Sequence, residues 1–172
     1  GVVMKFNLLF IICYTKYFIK NRIKKYFTTP PSMVRIVCLV IEIKSGNSAI
    51  VPALKALLDK YDFYDQSYVI TFNGSQLINM MKHIPEVPTG YLTAAKYSES
   101  GALKELLTNV GNFNASYNPR YSTEYDAEYI RDTMFRGVTT RPWTIDDKPT
   151  FFSAIKDGHA AVTTNYCQWT AD

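Results

Sequence analysis

The sequence predicts an α/β fold assembled from repeated βα units around a parallel sheet, and three observations carry that prediction. From residue 37 onward, short apolar runs alternate with stretches of helical periodicity, the pattern of consecutive βα units. The first run, residues 37–43, is rich in β-branched side chains and free of turn residues, as a strand buried on both faces requires. The composition, 47% hydrophobic and 20% charged with 13 Tyr and 10 Phe in 172 residues, is enough to fill a core and excludes disorder for the bulk of the chain.

The elements follow in order. After the 37–43 strand, Ser48 stands at an N-cap position before a helix over 49–61, where Ile50, Leu54, Leu57 and Leu58 recur at helical spacing. Residues 68–72 form a second strand and 75–83 a helix on Leu77, Ile78 and Met81. A short third strand spans 89–92, followed by a helix over 102–110 that Gly111 closes. A weak fourth strand spans 114–117, with a helix over 126–135 closed by Gly137. The fifth strand is 138–145, the next helix 148–156 has Pro149 in its first turn, and the sixth strand is 160–164. Six strands and five helices thus alternate strictly. Both an open doubly wound sheet and a closed barrel fit that order. Ser45-Gly46-Asn47 after the first strand is no glycine-rich phosphate loop, which makes a dinucleotide fold the weaker choice. A barrel would be two units short of closure, and those units would precede residue 37.

Residues 1–36 are unlike the rest. They hold seven basic residues and no acid, leaving 12 basic and 15 acidic residues in 37–172, so the whole basic excess belongs to this leader. Its longest uncharged run, 6–15, is far below the roughly 18 to 20 apolar residues that span a bilayer. Lys16, Lys20, Arg22, Lys24 and Lys25 interleave with aromatic and aliphatic residues, a pattern that suits an anionic membrane surface through residues 5–27 and, more weakly, nucleic-acid phosphates. A blander origin fits better. Of the 23 residues 5–27, 18 are Phe, Ile, Lys, Asn or Tyr, the types written by AT-rich codons, as in translated non-coding DNA. The expectation is therefore an artefactual or membrane-associating leader with no nucleic-acid partner. Pro30 and Pro31 close it.

Three widely spaced cysteines (Cys13, Cys38, Cys167) form neither a disulfide framework nor a metal knuckle and read as reduced thiols, which suits a cytosolic setting. Polar residues at strand ends that lead into helices mark the face where parallel α/β proteins work. Alternation along the first strand puts Cys38, Val40, Glu42 and Lys44 on one face and Leu39, Ile41 and Ile43 on the other. Glu42 suits a hard divalent cation and Lys44 a phosphate oxygen; a Glu–Lys ion pair that merely closes the strand is the alternative. Phe72, Asn73 and Trp143 sit where they can wall a ligand or cap the core. The two histidines stand apart from Glu42: His83 on the last turn of a helix, His159 in a loop at the far end of the strands.

The runs IEIK (41–44), VITFN (69–73), PEVPTGYL (85–92), RPWTIDD (141–147) and DGHAAVTTN (157–165) resemble, in order and spacing, the EIK, SFN, P..(T/G).L, WTVN and G(V/A)..(I/V)(I/V)TD blocks of the glycerophosphodiester phosphodiesterase family. The resemblance covers about residues 37–168. It implies a TIM barrel that binds Ca²⁺ or Mg²⁺ and hydrolyses glycerophosphodiesters to glycerol 3-phosphate and an alcohol. This chain would supply strands three to eight of an incomplete (β/α)₈ barrel. By the same resemblance Glu42 is a metal ligand, Lys44 a catalytic residue that steadies phosphate charge, and Phe72, Asn73 and Trp143 shape the substrate pocket. Asn165 stands where the last block carries Asp. Nothing in residues 1–36 matches the family's HRG, E.D and HD blocks, which carry its catalytic histidines. The expectation is a phosphodiesterase-like chain that is inactive alone and that self-associates through open strand edges. A non-catalytic binding or membrane-associated module on the same half barrel is the alternative.

Overall fold

A strand whose residues are apolar on both faces needs a neighbour on each side and a layer on each surface, and the chain builds that environment from local pieces. A computed structural model describes residues 39–94, 115–121, 133, 135, 137–166 and 169. Within them, β1 (Leu39–Ile43), β2 (Ser67–Thr71), β3 (Thr89–Thr93) and β4 (Ala115–Pro119) form a four-stranded sheet in the order β1-β2-β3-β4, every pair parallel. The register aligns Val40 with Tyr68, Glu42 with Ile70, Ile70 with Gly90, and Gly90 with Ser116. Helix α1 (Ile50–Tyr61) follows β1, α2 (Gly74–His83) follows β2, and α3 (Lys148–Lys156) lies near the C-terminal end. Among the described residues no helix is long and apolar enough to cross a membrane.

The alternation predicted for β1 is observed. Ile41 and Ile43 join Val69, Val51, Leu54, Leu58, Met80, Ile84 and Val87 in a core between the sheet and helices α1 and α2, with Leu39 packed against it. Val40 lies on the opposite face with Tyr68, Ile70 and Leu92, and Trp143 packs against them. Each fully buried aliphatic side chain on the helix side contributes about 1.5–3 kcal/mol. The second face, turned away from α1 and α2, is the inner face of the sheet.

The helix ends depart from expectation in one detail. Ser48 does not cap α1: Ala49 is the N-cap residue and makes no side-chain cap bond, while the Asn47 carboxamide oxygen accepts from Ala49 N at 2.9 Å. Asn and Ser are both good turn acceptors, and Asn47 is one residue better placed. Helix α1 stops at Asp62, which adopts the left-handed conformation (φ 50°). Asn73 caps α2 by accepting from Ser75 N at 2.9 Å. Asp147 caps α3, accepting from Thr150 N at 3.0 Å and Thr150 Oγ1 at 2.6 Å, with Pro149 in the first turn as predicted.

The fifth and sixth predicted strands are not regular strands. Residues 138–145 run parallel to β4 through two isolated bridges, Tyr117 with Thr140 and Arg120 with Trp143, and residues 160–164 follow beside them. The backbone bonds are nonetheless those of a continuing parallel sheet: Arg141 N donates to Tyr117 O and Trp143 N to Pro119 O, both at 2.9 Å, while Ala160 N donates to Thr140 O at 3.0 Å and Thr163 N to Pro142 O at 2.9 Å. Pro142 breaks the regularity, because its ring nitrogen has no hydrogen to give the sixth segment. Ile145, Phe151, Ala154 and Val162 form the core that seats α3 on this part of the sheet. Among the described residues the sheet is open. The predicted helix over 102–110, most of that over 126–135, the leader 1–36, Cys38 and Cys167 lie outside the described residues; Thr133 and Phe135 are helical, and Gly137 has φ 71°, as a C-terminal glycine needs.

Candidate functional site

The C-terminal end of β1 carries the first elements of the site. Lys44 Nζ lies 3.5 Å from Glu42 Oε2, with the Lys44 side chain 59% exposed and Glu42 15% exposed. An ion pair this open contributes at most about 1 kcal/mol, so it is available to a ligand. The loop that follows is held from α2. Gln76, itself buried, donates through Nε2 to Ser45 O at 2.8 Å and Asn47 O at 3.1 Å, and Asn79 Nδ2 donates to Ser48 O at 2.9 Å. Thr71 Oγ1 donates to Ile43 O at 2.8 Å, tying the ends of β1 and β2 together. Lys44 therefore has an exposed tip on a backbone held by these bonds.

Phe72, just past β2, is half exposed and meets Trp143 edge to face with ring centroids 5.7 Å apart. Trp143 also packs on the inner-face cluster of Val40, Tyr68, Ile70 and Leu92, and its Nε1 donates to Asn118 O at 2.7 Å. The structure thus brings Glu42 to Lys44 and Phe72 to Trp143. The Asn73 carboxamide oxygen caps α2, accepting from Ser75 N.

Below the aromatic pair lies a buried polar layer that the sequence reading did not single out. The Tyr68 hydroxyl and Ser116 Oγ share a short hydrogen bond, Ser116 Oγ donates to Asn118 Oδ1 at 2.6 Å, and Asn118 Nδ2 donates to the Tyr68 hydroxyl at 2.9 Å. The Arg141 guanidinium lies over the Tyr68 ring at 4.6 Å. Gly90, between Ile70 and Ser116 in the register, lets the tyrosine cross β3: a Cβ there would overlap the Tyr68 hydroxyl and stand 2.7 Å from Asn118 Nδ2. Barrel interiors are more often filled with branched aliphatic side chains. The available signal was the period of two, which puts Ser116 and Asn118 on one face of β4 and Arg141 with Trp143 on one face of the next segment.

Asp146 and Asn165 close the site's far side. Asn165 donates to the Asp146 carboxylate from both its backbone N (2.8 Å) and its Nδ2 (2.7 Å), and Thr164 Oγ1 adds a bond at 3.3 Å. Burial pushes the Asp146 carboxyl upward, but the bonds from Asn165 and Thr164 outweigh it and hold the group below the usual carboxylate value. The resembled blocks WTVN and TD carry Asn and Asp at the positions of Asp146 and Asn165. The amide and the carboxylate are exchanged here, and Asn165 ties the final segment to Asp146.

Neither histidine approaches Glu42. His83 is exposed in the last turn of α2, and His159 is buried after α3, sharing a 2.7 Å hydrogen bond between Nδ1 and Thr140 Oγ1. Burial pushes the His159 ring below its ordinary value, and Asp157 only partly opposes this. Ca²⁺ and Mg²⁺ take about six or more oxygen ligands. Among the described residues no three His, Cys, Asp or Glu side chains converge, so Glu42 and its neighbours do not by themselves make a divalent-cation site.

Solved structures share this architecture. A candidate glycerophosphoryl diester phosphodiesterase from Silicibacter pomeroyi aligns with a TM-score of 0.67 at 18% identity, over 78% of this chain and 49% of its own. A glycerophosphodiester phosphodiesterase from Parabacteroides distasonis aligns with a TM-score of 0.64 at 16% identity, over 78% of this chain and 56% of its own. The chain has the fold of the glycerophosphodiester phosphodiesterases. An Oleispira antarctica phosphodiesterase, solved in complex with the product sn-glycerol-3-phosphate, shares that phosphodiesterase fold with a TM-score of 0.59 at 20% identity, over 70% of this chain and 47% of its own. The chain spans about half the length of these structures. No protein-family model matches the sequence, and no curated protein does.

Proposed function

We propose that the chain is a glycerophosphodiester phosphodiesterase half barrel whose inner mouth binds the phosphate end of a glycerophosphodiester and which, alone, does not turn it over. One observation carries the reading: the Glu42–Lys44 pair at the end of β1 stands on the same inner face as the Phe72–Trp143 edge-to-face pair. An ammonium with a loose counter-ion is a phosphate-binding group, and in the reaction it would offset charge developing on the phosphoryl oxygens. The aromatic pair gives an apolar wall for the carbon part of the ligand. Metal dependence rests in this chain on Glu42, one oxygen donor, so the remaining ligands belong outside the described residues. In-line cleavage also needs a general acid and a general base, and neither His83 nor His159 lies beside the pair. Among the described residues β1 pairs on one side only, with β2, and this edge favours self-association.

The test is an assay of the full chain for release of glycerol 3-phosphate from glycerophosphocholine with Ca²⁺ or Mg²⁺, run beside Glu42→Ala, together with calorimetric binding of sn-glycerol 3-phosphate. The expected result is no turnover above the Glu42→Ala control and saturable binding that Lys44→Gln weakens. Turnover well above the control overturns the inactivity; absence of binding overturns the reading as a whole.

A further inference from the structure

We infer that Arg141 forms a second anion-binding point on the inner face, below Lys44, and that it takes a phosphate group. The inference rests on the phosphate reading of the same face and extends it to a residue with no assigned role.

The charge on that face does not balance. Glu42 is engaged by Lys44 at 3.5 Å, and among the described residues no carboxylate pairs with Arg141. Its planar face is occupied by the Tyr68 ring, with the guanidinium 4.6 Å from the ring centroid. Its N–H edge is another matter: Nε is buried and has no hydrogen-bond partner. A buried donor on a cation is costly to leave unmet, and stacking on a ring does not satisfy it, because the attraction runs through the face and the hydrogens lie in the plane. The side chain is only partly exposed, so a ligand reaching it leaves water while meeting the fork of donors that matches a phosphate in two places at once.

The surroundings are polar and ordered. Arg141 N donates to Tyr117 O at 2.9 Å, which sets the residue beside Asn118, and Asn118 belongs to the bonded set with Tyr68 and Ser116. Trp143, two residues on, is held by Asn118 O and walls the proposed pocket. Lys44 and Arg141 together outnumber Glu42 by one positive charge, so a phosphate anion is the ligand class that the face favours over a neutral sugar or a cation.

The experiment uses the full chain with two probes, inorganic phosphate and sn-glycerol 3-phosphate, titrated at fixed ionic strength and followed by ³¹P NMR. Arg141→Gln is expected to weaken inorganic phosphate about tenfold or more, and Arg141→Lys to fall between, because it keeps the charge and loses the fork. A measurement on the unaltered chain stands beside the variants: phenylglyoxal modification read by mass spectrometry, in which phosphate should protect Arg141 and leave the exposed Arg120 reactive. Equal phosphate affinity in folded Arg141→Gln, no saturable binding by the wild type, or no protection of Arg141 each overturns the inference. If Arg141 binds phosphate while sn-glycerol 3-phosphate binds no tighter than inorganic phosphate, the anion site stands and the glycerophosphodiester reading falls.

Discussion

Replacing Asn165 by Asp probes the exchanged pair on the far side of the site. In the wild type Asn165 Nδ2 gives a 2.7 Å bond to Asp146 Oδ2, beside the 2.8 Å bond from its backbone nitrogen. Asn165→Asp keeps the backbone donor and turns the side-chain donor into a second carboxylate facing the first. Loss of one hydrogen bond to an exposed charged group costs roughly 1 kcal/mol. Two unit charges about 4 Å apart repel by ~1 kcal/mol in bulk water and ~4 kcal/mol at an effective dielectric of 20, and the exposure of both residues places this pair near the lower figure. The sum is a destabilisation of about 2 kcal/mol at neutral pH, or roughly 4–8 °C in Tm for a chain of this size. Asp146→Asn with Asn165→Asp together restores one amide opposite one carboxylate, so the double variant should return to within about 0.5 kcal/mol of wild type, a coupling well above that of independent sites. Protonation should relieve the single variant as pH falls toward the carboxylate range, while the wild type behaves oppositely. Its Asp146 carboxyl is held low in the folded state, so that contribution is complete above the unfolded value of about 3.9 and is lost as pH falls below it. Thermal unfolding of the four proteins at neutral and acidic pH measures all of this. A single variant as stable as wild type, or a double variant no better than the sum of the singles, refutes the account.

Gly90→Ala should cost about 3 kcal/mol in urea unfolding, since its Cβ would overlap the Tyr68 hydroxyl and stand 2.9 Å from Tyr68 Cζ, forcing the Tyr68–Ser116–Asn118 network apart; a loss below about 0.5 kcal/mol would show that the tyrosine moves freely. His159 is buried with its pKa lowered, mainly by that burial, so its contribution to stability is complete above the unfolded value of about 6.5 and drains as pH falls from there through the lower folded value. His159→Gln should flatten the stability-against-pH profile in that window, and an unchanged profile would refute the assignment. Lys44→Gln should leave Tm within about 1 °C, because an exposed ion pair contributes little, while weakening sn-glycerol 3-phosphate binding in calorimetry; a large fall in Tm would make Lys44 a structural residue.

What was legible in the sequence divides along sequence distance. The positions of β1 to β3, all three helices and the two faces of β1 follow from periodicities within a dozen residues, and there the structure agrees. The fourth strand reads as weak because Ser116 and Asn118 lack apolar character, yet every residue of β4 is buried. What compensates them is Tyr68, 48 and 50 residues away, a distance across which no local pattern operates. The fifth segment reads as a strand on its apolar content, but Pro142 withholds the donor that regular pairing needs. Glu42, Lys44 and Trp143 stand out in the sequence by motif and spacing, and the structure sets Glu42 beside Lys44 and Trp143 beside Phe72. Arg141 lies in the same run as Trp143 with no local signal of its own, because a lone arginine acquires meaning only once its neighbours on other strands, and the absence of a paired carboxylate among the described residues, are known.

The two polar sets on the inner face should differ in what they tolerate. Glu42, Lys44 and Phe72 stand at the mouth in contact with water, where a side chain can change at little cost to folding. Tyr68, Ser116 and Asn118 are buried and mutually bonded, and breaking such a set leaves unmet donors and acceptors in a low-dielectric setting. Trp143 joins them: its ring meets Phe72 at the mouth, and its Nε1 is fixed by Asn118 O within the buried layer. A change at the mouth should therefore alter ligand binding first and stability hardly at all. A change in the buried layer should lower stability first and alter binding only through the placement of Trp143. A variant of Ser116 or Asn118 that kept its stability but lost ligand binding would break this ordering and place the buried layer in direct contact with the ligand.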